Sequence, residues 1–255
     1  MIERIQTENR PHGTICVAFT PDEEIGMGAE HFNLDQFGAE YAYTLDGDSE
    51  GEIQYENFNA CKAEFEIRGF NVHPGEGKDT MINASLVAIE INNCLPSMET
   101  PRGTEDYEGF YHLISMQGEV GEAKLNYIVR DHDKNGFEER KKTLRLIEKN
   151  LNAKWGEGTV TLKITDQYLN MKEIVEEHMH LIDHAKKACE AAGVAPLILP
   201  IRGGTDGCQL SFKGLPCPNL GTGGHAFHGP YEHISVEGME KSVELLLALI
   251  QEYTK

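Results

Sequence analysis

The chain has 255 residues, of which 23 are Lys or Arg and 42 are Asp or Glu, so its formal net charge is −19. This charge disfavours a surface that binds nucleic acid or an anionic membrane, because their phosphates would be repelled. No apolar stretch approaches the roughly 20 residues of a membrane span, and the charged start predicts no signal peptide. The composition therefore predicts a soluble cytoplasmic protein with neither a nucleic-acid nor a membrane partner.

Two short apolar strands are predicted early in the chain, each followed by a polar segment that contains glycine. Residues 14–19 (TICVAF) precede Pro-Asp-Glu-Glu-Ile-Gly, and residues 41–45 (YAYTL) precede Asp-Gly-Asp-Ser-Glu-Gly. Buried strands that end in polar loops are typical of an α/β sheet, in which ligands bind beyond the carboxyl ends of the strands.

From residue 59 the pattern changes to alternating polar and apolar residues, which predicts a half-solvated strand at 61–68. A helix, two strands, a charged helix and a final strand follow. This order predicts a ferredoxin-like split βαβ module spanning residues 59–167. Residues 1–58 and 168–255, with a further apolar strand at 196–201 (PLILPI), then form one larger α/β domain.

Three segments carry side chains suited to metal-assisted hydrolysis. Glu23 and Glu24 are adjacent carboxylates after the first strand, where one could ligate a metal while the other accepts a proton from water. Such pairs are also common on solvated surfaces. Asp46 ends the second strand, where an Asp often forms a local turn instead. His225, His228 and His233 lie within nine residues, and carboxylates with imidazoles suit zinc, manganese or cobalt.

Two further residues could contact a substrate. His73 precedes Pro-Gly, and a His at such a position is more often a plain turn residue. Arg202 lies in the Gly-rich segment Arg-Gly-Gly-Thr-Asp-Gly and could bind a carboxylate through two parallel hydrogen bonds. The alternative for Arg202 is a salt bridge within its own loop.

Taken together, these blocks resemble the large family of di-zinc exopeptidases and deacylases. The resemblance covers essentially all 255 residues. The matching blocks, in chain order, are FTPDEEIGMGAEHF, LDGDSEGE, RGFNVHPGEGKDTMINA, YIVRDHDKNGFEERK, LPIRGGTDGCQLSFKGLPCPNLGTGG and FHGPYEHISVEGMEKSV.

The resemblance implies a role for each matching site residue and two zinc ions per active site. Glu23 would be the general base and acid. The zinc ligands would be Glu24, Asp46 and His228, and His73 would contact the oxyanion. Peptide backbone and terminal carboxylate would be held by Asn83, Arg130 and Arg202.

The implied fold is an α/β zinc-exopeptidase-like catalytic domain in residues 1–58 and 168–255, with residues 59–167 inserted as a lid or dimerisation module. Members of this family begin with a His-x-Asp motif and carry a later Asp that bridges the metals. Nothing before Thr14 supplies either. We therefore expect a C-terminal portion with an incomplete zinc site.

The implied activity is release of the N-terminal residue from tripeptides, impaired in this chain. One alternative is a related dipeptidase or deacylase. Another is a catalytically inactive fragment that acts in interaction or dimerisation. The resemblance also allows a homodimer through the inserted module.

Overall fold

Two units make up the chain in the computed structural model, which describes residues 1–254. Unit 1 comprises Met1–Asn57 with the chain from Asn170 on, and unit 2 comprises Phe58–Leu169. The helices are α1 (Ile2–Thr7), α2 (Leu34–Phe37), α3 (Ala84–Asn93), α4 (Lys134–Trp155), α5 (Lys172–Val175), α6 (His180–Ala191), α7 (Asp206–Phe212) and α8 (Val236–Glu252). The strands are β1 (Thr44–Gly47), β2 (Glu52–Gln54), β3 (Asn59–Arg68), β4 (Phe110–Gly118), β5 (Glu122–Asp131), β6 (Val160–Tyr168), β7 (Leu197–Ile198), β8 (Asn219–Gly221), β9 (Gly224–His225) and β10 (His233–Ile234).

Unit 2 is a four-stranded antiparallel sheet in the order β4-β5-β3-β6. Its elements follow one another as strand, helix, strand, strand, helix, strand, the order of a split βαβ fold. Alternate residues of β3, such as Phe65 and Ile67, are buried in one core with residues of α3 and α4, such as Ile91 and Leu144. The opposite face of β3 is charged, because Lys62, Glu64, Glu66 and Arg68 alternate with its buried positions.

Helix α4 illustrates how local sequence sets an element of unit 2. The Asp133 side chain accepts a hydrogen bond from the Gly136 backbone at 2.7 Å and caps the amino end. The helix ends at Gly156, whose φ of 108° favours glycine. Between these ends, Phe137, Leu144, Ile147 and other residues at helical spacing are buried in the core.

Unit 1 contains a short mixed sheet in the order β1-β8-β2-β7 and a separate hairpin of β9 and β10. Strands β1 and β8 are parallel, whereas β2 and β8 are antiparallel. A buried amide pair fixes the centre of this sheet: Asn219 donates to Gln54 at 2.7 Å and accepts from the Asp46 backbone at 3.1 Å. The sheet thereby sets where β1 ends.

The first predicted strand of unit 1 is absent, which corrects the sequence interpretation. Residues 14–19 have no strand assignment, and Phe19 is 94% exposed. The apolar segment 196–201 forms only the two-residue β7, with Leu197 46% exposed. A strand needs a partner strand for its backbone hydrogen bonds. Strands β1 and β7 lie at the two ends of this sheet, and each has one neighbouring strand among the described residues.

No helix in residues 1–254 combines the length and apolar character that crossing a membrane requires.

Candidate active site

The Glu23–Glu24 pair lies on a tight turn in unit 1. Glu23–Ile25 form one 3-10 turn, with Asp22 before it at φ 62° and Gly26 after it at φ 73°. The Gly26 backbone N–H donates to the Glu23 backbone carbonyl at 2.7 Å, and the Met27 N–H donates to the Asp22 backbone carbonyl at 3.0 Å. Left-handed backbone on both sides of a turn is uncommon outside glycine, and it often marks a functional site. The turn fixes the backbone from which both carboxylates project.

Helix α7 holds the turn and the loop after it in place. The Gln209 side chain donates to the Gly26 carbonyl at 3.0 Å. The Lys213 ammonium donates to the carbonyls of Ala29 and Glu30, the latter at 2.9 Å. Because these three carbonyls have donors in α7 and at its C-cap, Lys213, the loop conformation is supported by packing in unit 1 as well as by its own sequence.

Asp46 and His228 come to the same region from two other segments. Asp46 lies in β1, so its backbone is part of the sheet. His228 has φ 59°, its backbone donates to the Glu232 carboxylate at 2.8 Å, and its Nε2 lies 2.9 Å from Glu24 Oε2. Both His228 and Glu24 are exposed.

The electrostatics place Glu23 among like charges. Partial burial and the negative charges of Asp46, Asp206 and Glu24 raise the pKa of Glu23 to about 7, and His228 opposes this shift. The pKa of Asp46 is also raised, first by the loss of water around its carboxylate and then by Glu24 and Asp206. A carboxyl group with a pKa near neutrality can both accept and return a proton.

The structure therefore brings Glu23, Glu24, Asp46 and His228 within electrostatic reach of one another. Within residues 1–254, however, no group of three or more His, Cys, Asp or Glu side chains is arranged so that it could hold a metal ion. The contact between Glu24 and His228 joins two of the three predicted ligands directly. His225 lies opposite His233 in the β9–β10 hairpin, with ring centroids 5.4 Å apart.

Asp206 belongs to the same cluster and was not among the residues singled out from the sequence. It begins α7 and is 4% exposed. Its only sequence signal is its place five residues after the apolar segment 196–201, at the start of a helix. Nothing in that local pattern indicates that α7 returns to the Glu23 turn.

The remaining predicted residues have local roles in their own units. In unit 2, His73 Nδ1 accepts a hydrogen bond from the Gly75 backbone at 3.2 Å, and Asn83 caps α3 by accepting from the Leu86 backbone at 3.3 Å. Arg130 lies in β5 with its guanidinium 6.0 Å from the Phe110 ring centroid. In unit 1, Arg202 is half-buried in the loop before α7. Their contacts with substrate remain predictions.

A paired acidic turn, a strand-end aspartate and a histidine thus lie in one region of unit 1, and comparison with known proteins identifies the family. The chain belongs to Peptidase family M20/M25/M40, whose family model matches residues 1–252.

Curated relatives include Peptidase T of Halothermothrix orenii, 54% identical over 243 residues, and Peptidase T of Clostridium perfringens, 55% identical over 244 residues. These matches cover 95% and 96% of this chain and 60% of each relative. The chain thus spans about 60% of the length of the curated relatives that it matches.

Solved structures agree with the fold. The aminopeptidase PepT of Bacillus cereus superposes with a TM-score of 0.86 at 25% identity, covering 100% of this chain and 68% of that one. The YXEP protein of Bacillus subtilis, described as a dinuclear metal binding peptidase from the M20 family, has a TM-score of 0.68 at 16% identity. That match covers 92% of this chain and 64% of the other.

Proposed function

We propose that this chain carries part of the active site of a metal-dependent aminopeptidase that releases the N-terminal residue from tripeptides. The observation that carries the proposal is the half-buried Glu23, whose pKa is raised to about 7 among Asp46, Asp206 and Glu24. Relatives more than half identical over nearly the whole chain are named Peptidase T. Proton transfer by a tuned carboxyl group is what peptide hydrolysis near neutral pH needs.

A divalent metal, zinc in this proposal, would be held by Glu24, Asp46 and His228. The donor types suit the ion, because carboxylate oxygen and imidazole nitrogen are among the ligands that zinc takes in catalytic sites. The concentration of negative charge supports it as well, since the pKa values of Glu23 and Asp46 are raised first by burial and then by neighbouring carboxylates. When bound, such an ion supplies Lewis-acid polarisation of the scissile carbonyl.

Glu23 is the proton carrier in this proposal. It accepts a proton from the attacking water as the new C–O bond forms, and it returns that proton to the leaving nitrogen as the C–N bond breaks. Its pKa of about 7 suits both halves of this transfer. The turn held by α7 keeps the carboxyl group in position between the two steps.

The other predicted residues act on the substrate in the same proposal. His73 contributes a hydrogen-bond donor to the oxyanion. The backbone and terminal carboxylate of the peptide are held by Asn83, Arg130 and Arg202, and a guanidinium suits a carboxylate because its planar donors match two oxygens at once. Unit 1 is then the catalytic part, and unit 2 is the lid or dimerisation part.

We expect turnover by this chain alone to be far below that of its longer relatives. The supporting observation is that the described residues present no set of three side chains arranged to hold a metal. Loss of ligands weakens metal affinity more than the roughly 10- to 100-fold that changes outside the ligand set produce.

The test is hydrolysis of tripeptides by the purified chain with added Zn²⁺ or Co²⁺, beside dipeptides and acylated amino acids. We expect slow release of the N-terminal residue from tripeptides, reduced a further ~10²- to 10⁴-fold in Glu23→Gln, which keeps the shape of the side chain and loses its proton transfer. Preference for a dipeptide or an acylated amino acid would contradict the tripeptide assignment. Equal rates in the chain and in Glu23→Gln would contradict the role of Glu23.

A further inference from the structure

A cavity of about 510 Å³ lies in unit 1 beside the turn that carries Glu23. It is lined by residues 19–22, by Met27 and Gly28, and by five residues between 31 and 37. Its volume is within the range of sites that bind small molecules. Because Asp22 lines the cavity and directly precedes Glu23 in the chain, the cavity adjoins the proposed proton carrier.

The inner wall of the cavity is aromatic and is held in place by its own packing. The rings of Phe32 and Phe37 meet edge to face, with centroids 5.0 Å apart. Both rings pack against a buried cluster of unit 1 that includes Leu210. The Asn33 side chain caps the short helix between them by accepting from the Gln36 backbone at 2.9 Å. The wall is therefore formed before any ligand binds.

The outer part of the cavity presents apolar side chains to water. Phe19 is 94% exposed and Met27 is 45% exposed, although both line the cavity. Covering such side chains with an apolar group is favourable, because it removes apolar surface from water. An apolar side chain of a ligand would contact Phe19 and Met27 on one side and the two packed rings on the other.

The charge of the lining selects the kind of ligand. Asp22 is its acidic residue, and neither Lys nor Arg is among the lining residues that the structure describes. The Asp22 carboxylate is exposed and makes no capping hydrogen bond to the Glu23 turn. A ligand that carries a cation next to an apolar group is complementary to this arrangement. The first residue of a peptide has both, since its α-amino group is mostly protonated near neutral pH.

We propose that this cavity binds the N-terminal residue of the peptide substrate, with an apolar side chain against Phe19, Met27 and the two rings and the α-ammonium paired with Asp22. The inference rests on the proposed function, because the occupant is the residue that the proposed reaction releases. It adds a preference that the proposed function does not contain: peptides that begin with a free ammonium and a large apolar side chain bind more tightly than those that begin with glycine.

The test measures binding to the full chain in EDTA, so that neither metal nor turnover is involved. The probe is para-fluorophenylalanine amide, whose affinity is followed by fluorine NMR, beside its N-acetyl derivative, which has no cation. We expect a roughly millimolar Kd for the amide, as suits a small ligand. Acetylation should weaken binding about 5-fold, the scale of an exposed ion pair. Unlabelled leucine amide should displace the probe, and glycinamide should not.

Two variants locate the site. Asp22→Asn should weaken binding of the amide about 5-fold and leave binding of the acetylated compound unchanged, a pattern that a general loss of structure would not produce. Asn also tolerates the left-handed backbone at this position, so the turn is retained. Phe19→Ala should weaken binding of both compounds about 3- to 10-fold. The matched controls, Asp35→Asn on α2 and Met98→Ala at a 70% exposed position in unit 2, should bind as the unmodified chain does.

The outcomes separate this inference from the proposed function. If tripeptides are hydrolysed in a way that depends on Glu23 but the probe does not bind, only this inference is overturned. Equal affinities for the amide and its acetylated form, or for the unmodified chain and both cavity variants, overturn it as well. If binding follows the expected pattern but no peptide is hydrolysed, the proposed function fails, and the cavity stands as a site for the N-terminal residue of a peptide.

Discussion

At the scale of single residues, the fold of unit 1 places several titratable groups where water is scarce. Glu23 is the clearest case, because burial and three neighbouring carboxylates shift its pKa in the same direction. His184 on α6 is a second case, away from the candidate active site. Its Nδ1 is buried without a partner, and its ring meets the edge of Tyr253 at a centroid distance of 4.7 Å.

The environment of His184 predicts how stability changes with pH. Burial, assisted by His180 and Lys187, lowers the pKa of His184, whereas Glu252 and Asp183 oppose the shift. As the pH falls through about 6.5, the usual pKa of histidine, the unfolded chain takes up a proton that the folded chain resists. The stability contributed by neutral His184 is therefore present above that pH and is lost below it.

We expect His184→Gln to reduce this acid sensitivity. The measurement is the change in urea-unfolding free energy between about pH 7.5 and about pH 5.5, with EDTA present. The unmodified chain should lose more stability over this interval than the variant. His12→Gln, at an exposed position, is the matched control and should follow the unmodified chain. Parallel pH profiles for the chain and His184→Gln would contradict the prediction.

At the scale of elements, how well a segment could be predicted depended on where its partners lie. The alternation at 61–68 predicted a strand, and β3 lies there because its alternate side chains face the core of unit 2. The segment 14–19 has equally strong strand character but no assigned strand, because propensity does not supply a partner to pair with. The convergence of Glu23 and Asp206 could not be predicted from spacing, since it depends on the packing of α7 against a distant loop.

An apolar surface on two elements of unit 2 supports the homodimer suggested by the family resemblance. Leu86 and Ile89 on α3 are 61% and 46% exposed, and Ile114 on β4 is 52% exposed. Strand β4 is also an edge of its sheet, with β5 as its one neighbouring strand among the described residues. We propose that a second copy of the chain binds through this α3–β4 surface.

Sedimentation equilibrium tests this dimer. We expect a concentration-dependent dimer that Ile114→Lys disrupts, because a charge would be buried in an apolar contact. Thr161→Lys, an exposed change on the opposite edge strand β6, should leave the dimer intact. A monomer at all concentrations, or a dimer that both variants form equally, would contradict the α3–β4 surface.

At the scale of the whole molecule, the two units differ in how completely each buries its apolar side chains. Unit 2 has its own core, with side chains from all four strands and both helices buried together. In unit 1, the sheet has short strands, and apolar residues such as Phe19, Leu45 and Leu197 are exposed. Local periodicity in the sequence predicted a strand, helix, strand, strand, helix, strand order, and unit 2 contains its elements in that order. In unit 1, the predicted strands are shorter than expected or have no strand assignment.

This difference predicts that unit 2 folds alone. A fragment of residues 58–169 retains every strand of its sheet and the whole of the core that contains Phe65, Tyr127 and Leu144. Its circular dichroism should show a folded α/β protein with one cooperative urea transition. Phe65→Ala should lower its stability by about 3–5 kcal/mol, because Phe65 is fully buried and its removal leaves a cavity. Lys163→Ala, on the exposed side of β6, should change the stability by no more than about 0.5 kcal/mol. A fragment without a cooperative transition would show that the core of unit 2 depends on the rest of the chain.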